Sequence, residues 1–297
     1  MRTRLLLFPL LFLLAGSVSG QQKYPPTFLW RISGNGLQHP SYLWGTIHLQ
    51  DRRVFRFTDS LYYLLDHSNA FAMELDPERA TEDLLPFVMG KDTSAFLYTA
   101  MPDSVFLRVA PLLERALKKP ARSIRRKEAW LYLQLRPYRG RRRDDMPQPM
   151  DLYLYEHART QKKKLLGIED LSDQFDLAEI LTGPFDARGL LQTDTEVQRQ
   201  TEEMVQIYMK QDLAAIERMS MSDSVYENRT LVRRNRKMAL RMDSLARLQP
   251  TFFAIGAGHL PGVEGVLALL RRRGFSVTPV LGGRLLLPGV AKADDLQ

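Results

Sequence analysis

The segments of this 297-residue chain that can form strands lie mostly at its two ends, and that placement constrains the fold more than any other feature. "TFLWRIS" (27–33) and "SYLWGTIHL" (41–49) flank the turn-rich "GNGLQHP", which predicts an antiparallel hairpin. At the other end, "TFFAIGAGHLPGVEGVLALLRRRGFSVTPVL" (251–281) reads as strand, glycine loop, helix ended by Gly274, then strand. That order is a parallel crossover. Only two short apolar runs lie between: "AFAMELD" (70–76), stopped by Pro77, and "KLLGIED" (164–170). The remainder carries helical spacing, beginning with 59–69, where Asp59 is the expected N-cap. The sheet must therefore recruit both ends of the chain. The predicted class is α/β, a central sheet of N- and C-terminal strands with helical insertions at about 78–163 and 172–248. Residues 21–297 are expected to form a single domain.

The apolar runs share a second property: each ends in a side chain able to do chemistry, namely His48, Glu74, Glu169 and His259. Ligand sites of open α/β sheets lie beyond the carboxyl ends of the strands. Two imidazoles and two carboxylates meeting there would suit a hard or borderline divalent ion. The chain has five histidines, and two of them follow a glycine by three positions, in "GTIH" and "GAGH". Gly45, Gly256 and Gly258, lacking a Cβ, are expected to let the backbone turn sharply and so aim His48 and His259. Plainer roles stay open. A strand-end histidine can be a hydrogen-bonded structural residue, and Glu169 can be an acid favoured at a helix N-terminus. His67 and His157 fall on predicted helices and are read as structural. Dinucleotide, Walker, H-E-x-x-H and G-x-S-x-G patterns are absent.

The first 20 residues have a basic start, a short apolar core and a small-residue exit, which is the pattern of a signal peptide. The expected location is exported, periplasmic or extracellular, with association to the envelope as a variant of it. Without Arg2 and Arg4 the chain keeps 40 basic against 34 acidic residues, a net charge of +6. It has no cysteine, so neither a disulfide framework nor a thiolate site is available, and any metal must be held by His, Asp or Glu. Residues 115–143 hold twelve Lys or Arg and one acid, Glu128. This run is either a solvated face or a surface for an anionic envelope partner. No nucleic-acid motif accompanies it, so nucleic acid is not an expected partner.

"YLWGTIHL", "AFAMELD", "LLGIEDLSDQ", "RRNRKMA" and "FFAIGAGHLPGVEGVLALLRRRGFSVTPV" resemble the TraB/GumN/Tiki family from about Phe28 to Val280. The resemblance implies a Tiki-like α/β fold related to the haem-binding ChaN and erythromycin-esterase groups. It implies a metal-dependent hydrolase, most simply a peptidase acting on a peptide or protein. His48, Glu74 and His259 would hold a divalent ion, Mn or Co ahead of Zn, with Glu169 as general base. Glu74 and Glu169 remain interchangeable in those two roles at this stage. Arg234 and Asn235 match the family's "RN" pair, and Asp151 matches the acid opening the helix before "GIED", although Met150 stands where the family has Gly. The alternatives are a metal-free hydrolase with a histidine base and a non-enzymatic peptide- or haem-binding protein.

The leader pattern makes the first test direct. Protein recovered from an envelope or culture fraction should begin at Gly20, Gln21 or Gln22 by N-terminal sequencing. An intact Met1 in cytosolic protein would contradict export.

Overall fold

β1 (Leu29–Ser33) and β2 (Ser41–Thr46) form the anticipated hairpin, with Leu29 opposite Trp44 and Ile32 opposite Ser41. Its connection turns on Gly34, Asn35 and Gly36, all at positive φ (77°, 49° and 80°), where glycine and asparagine are the residues that fit. The computed structural model describes residues 24–136, 142–183, 185–221 and 225–286. The leader-like residues 1–20, and Arg139 and Arg141 of the basic run, lie outside the described residues.

The two internal apolar runs become β4 (Ala70–Met73) and β5 (Lys164–Gly167), and the C-terminal run supplies β6 (Thr251–Gly256) and β7 (Ser276–Pro279). These six strands make one sheet in the order β5-β4-β6-β2-β1-β7. The first four are mutually parallel, whereas β1 runs antiparallel to both of its neighbours. A small antiparallel pair, β3 (Phe57–Thr58) with β8 (Leu285–Leu286), stands apart. The chain is thus α/β, with both termini in its sheet. The helix Asp59–Asp66 is capped by Thr58, whose side chain accepts from the Leu61 N–H, and not by Asp59, which falls in its first turn.

Phe252 and Phe253 point to opposite faces of β6, and both have no exposed surface. Both faces of the sheet are therefore covered, as a parallel sheet requires. The helices Met150–Thr160 and Val225–Leu248 contact β6. A second apolar cluster, including Leu97, Phe106, Val109, Ile124 and Tyr132, gathers within the helices between β4 and β5. Cations of the basic run hold these helices in place. Arg126, Lys127 and Arg136 are buried, and each donates to backbone carbonyls: Ile180 and Glu179, Phe87 and Gly90, and Gly189 and Gln192 respectively. The solvated-face reading therefore fails for these three, which close chain ends and loops from inside.

Because both faces are covered, Phe252→Ala and Phe253→Ala should each destabilise the protein by about 3–5 kcal/mol. Urea unfolding would measure this. A near-neutral effect at either position would mean that its face of the sheet is open.

Candidate functional site

Four parallel neighbours end on the same side, so β5, β4, β6 and β2 carry Glu169, Glu74, His259 and His48 in that spatial order along one edge. Glu74 directly follows β4. Glu169 follows β5 by two residues, and its N–H donates to the Glu74 carbonyl at 2.8 Å, which keeps the two chain ends together. His259 closes a 3-10 turn, Ala257–His259, directly after β6. His48 lies two residues past β2.

Arg234, from the helix Val225–Leu248, sits between the carboxylates. Its Nε donates to Glu169 Oε1 at 3.0 Å, and its Nη2 to Glu169 Oε2 at 2.7 Å and Glu74 Oε2 at 2.9 Å. Gln174 Nε2 donates to Glu74 Oε2 at 3.1 Å and to Glu169 Oε2 at 3.2 Å. The Gly256 N–H donates to Glu74 Oε1 at 2.7 Å. Burial would raise the Glu74 carboxyl, but the nearby charges and the Gly256 N–H hold it below the usual carboxylate range. His259 is itself pushed down by burial and is neutral at pH 7, so His48, Arg234 and Gly256 are what keep Glu74 ionised.

Asn235, the residue after Arg234, sets the state of His259. Its Nδ2 donates to the Glu264 carbonyl at 2.9 Å, which turns Oδ1 toward His259 Nδ1 at 2.6 Å. Nδ1 must therefore carry the ring proton, and Nε2 is left as an acceptor. That Nε2 faces Glu74 Oε1 at 3.7 Å, too far for a hydrogen bond and between two atoms that both carry lone pairs. His48 is held in the same manner, with Nδ1 2.9 Å from Asp151 Oδ2. Burial opposes a charge on His48, yet the hydrogen bond and charge of Asp151 lift it to about 9. Half of its side chain is solvent-accessible, so the carboxylate, not dehydration, decides the direction. Asp151 is buried, and its Oδ1 has no hydrogen-bond partner.

Whether these residues suit a divalent ion can be judged from the same geometry. Metal-bound imidazoles characteristically give their second ring nitrogen to a carboxylate or carbonyl oxygen, and both histidines do so. Two metal–ligand bonds of about 2.0–2.2 Å can span the gap between His259 Nε2 and Glu74 Oε1. The donor chemistry fits, although among the described residues no three His, Asp or Glu side chains already converge on one point.

The glycines act differently from the sequence-based expectation. Gly45, Gly256 and Gly258 all have ordinary backbone angles, since none is among the positive-φ residues. Gly256 matters for space: a Cβ there would meet Glu74 Oε1 at 3.0 Å. At Gly45 a Cβ would press on Leu260 at 3.1 Å and Ala257 at 3.2 Å, at the start of the His259 turn. At Gly258 it would meet only Ser220 Oγ at 3.8 Å, an ordinary contact. Glu169, expected as a general base, has no exposed side-chain surface, and both of its oxygens are held by Arg234. Gln174 escaped the sequence reading; its signal was its place five residues after Glu169, on the short helix Leu171–Gln174. His67 and His157 lie elsewhere, bonded to the Tyr63 carbonyl and to Asp66.

Residues 28–279 match the TraB/PrgY/gumN family. Among curated proteins, Metalloprotease TIKI1 of Danio rerio is 24% identical over 322 residues, covering 88% of this chain and 64% of that protein. Metalloprotease TIKI2 of Danio rerio is 25% identical, with 86% and 61% covered, and Metalloprotease TIKI1 of Homo sapiens is 23% identical, with 92% and 65% covered. The chain spans less than two thirds of the length of these relatives. No solved structure matches it significantly.

The Arg234 bridge yields a stability test. Arg234→Met leaves two buried carboxylates without their cation and should cost about 3–5 kcal/mol at neutral pH. Chemical denaturation would measure it, and a loss below about 1 kcal/mol, the usual worth of an exposed ion pair, would mean that the bridge is not buried in solution.

Proposed function

The chain belongs to the TraB/PrgY/gumN family, and from that premise we propose that it is a metal-dependent hydrolase acting on peptide bonds, in the manner that the names of its relatives describe. The observation that carries this reading is the pair of acceptors, His259 Nε2 and Glu74 Oε1, facing each other at 3.7 Å with no proton between them. A divalent cation would accept a lone pair from each and remove the cost of leaving two acceptors facing each other in a buried place. His259, Glu74 and His48 would hold the ion, Mn or Co as first choice with Zn also compatible; the donors are nitrogen and oxygen alone, a set that suits such hard or borderline ions. A bound divalent ion supplies a Lewis acid for the scissile carbonyl and an acidified water.

The remaining roles belong to the chain itself. Asn235 fixes the tautomer of His259, and Asp151 orients His48. The Gly256 N–H and Arg234 keep Glu74 ionised and point Oε1 at His259. Glu169 and Gln174 hold Arg234 and Glu74 in place, so we assign Glu169 a positioning role in preference to that of a base. In the metal-free alternative His48 is the base, but Asp151 keeps that ring protonated at neutral pH; as a ligand His48 would have to release the same proton when the ion binds. Export, as the leader pattern suggests, would place the activity on peptides or proteins outside the cytoplasm.

Elemental analysis after loading with Mn, Co or Zn should find metal in the wild type and in the His67→Ala and His157→Ala controls. His48→Ala and His259→Ala should stay folded and lose it, with affinity falling by more than the roughly 10–100-fold typical of an outer hydrogen-bond partner. Gly258→Ala should retain it, whereas Gly256→Ala, which crowds Glu74, should weaken it. A wild type that binds none of the three metals, or cleavage of a peptide library that is indifferent to chelator, would end the metal reading.

A further inference from the structure

A cavity of about 750 Å³ runs between the helix Arg126–Leu135 and the segment 172–197. Its connection to the site is Gln174, which borders the cavity and donates to both Glu74 and Glu169. One wall is aromatic: Trp130 meets Phe175 edge-on at 5.3 Å and 85°. Leu133, Ile180, Phe185 and Val197 supply further apolar surface. The rest of the lining is polar or charged, so the space joins an apolar slot to a charged rim, and its size suits a side-chain subsite.

The charges around it are unequally free. Arg126 and Arg136 spend their donors on backbone carbonyls and Asp194, Asp173 is paired with Lys237, and Asp186 with Arg188. Asp176 and Glu179 remain as exposed carboxylates on the rim, and among the described residues no ion pair engages either of them. Arg233 is an exposed guanidinium on the same rim.

We infer that this cavity is a specificity subsite for a peptide segment carrying a large apolar side chain next to a basic residue. The apolar side chain fills the slot beside Trp130, and the basic group meets Asp176 and Glu179. The inference depends on the hydrolase reading only in calling that peptide a substrate; the binding stands on the cavity itself.

Tryptophan fluorescence gives a readout that needs no turnover, because Trp30 and Trp44 are 1% and 4% exposed and only Trp130 is accessible. The probes are three capped tetrapeptides with the central pairs Phe-Lys, Gly-Lys and Phe-Glu. The Phe-Lys peptide should change the Trp130 emission saturably and bind at least tenfold more tightly than either of the others. Ile180→Lys should weaken it at least tenfold; Val197→Lys serves in its place if the first variant melts below the wild type. His67→Ala, remote from both the cavity and the strand-end site, should bind the peptide unchanged. Binding with this preference but no cleavage under any metal would sink the hydrolase reading and leave the subsite standing. Chelator-sensitive cleavage with no Trp130 response, and rates unaltered by Ile180→Lys, would overturn the subsite and leave the hydrolase reading intact. Equal binding of the three peptides, or none, would also overturn the subsite.

Discussion

The parallel pairing of β2 with β6 is the constraint on which the site depends. It sets Gly45 opposite Ile255 and Thr46 opposite Gly256, so the strands from the two ends of the chain finish together. A parallel pair cannot be closed by a short turn, and here the connection between them carries most of the helices and the strands β3, β4 and β5. Glycine at position 45 lets the turn bearing His259 settle directly against β2. On the other side, the Tyr208 hydroxyl donates to the Gly45 carbonyl at 2.5 Å and lies 3.2 Å from Met150 Sδ. Met150 precedes Asp151, so the same contact ties the end of β2 to the partner of His48.

Charge is the second organising element, and its cost explains its arrangement. Glu74 and Glu169 are buried beside each other, and two uncompensated carboxylates would each cost several kcal/mol, on the order of the whole stability of a domain. Arg234 offsets this with a two-pronged contact to Glu169 and a third bond to Glu74. Such buried pairs contribute little net stability, since dehydration cancels much of the attraction. What they do confer here is position. Neighbours on one helix turn serve two purposes: Arg234 fixes the acids and Asn235 fixes the histidine, because side chains at i and i+1 leave a helix in different directions.

Much of the frame was legible in the sequence. The hairpin, the two internal strands and the C-terminal crossover follow from short apolar runs bounded by Gly and Pro, and each such run became a strand a few residues shorter than predicted. In β2, β4 and β5 the shortening leaves His48, Glu74 and Glu169 beyond the ladder, at the strand ends. The helix cap was misplaced by one residue, since Thr58 and Asp59 are both good caps and tertiary context chose between them. Of the glycines expected to aim the histidines, Gly45 and Gly256 matter through close neighbours in space and not through a positive φ, while Gly258 has room for a Cβ.

By itself the sequence determined which residues could do chemistry. With no cysteine, and with His48, Glu74, Glu169 and His259 each closing an apolar run, the donor types and their place at strand ends were settled by composition and periodicity. It could not determine their mutual roles. Those depend on contacts between segments far apart in the chain: Gly256 with Glu74, Arg234 with Glu169, Gln174 with both acids, Asn235 with His259. Hydrogen-bond direction and burial decide which carboxylate is locked and which nitrogen keeps its lone pair, and both are properties of the packed surroundings. The buried basic residues Arg126, Lys127 and Arg136 make the same point, because a charge pattern records how many cations there are but not which carbonyls will face them.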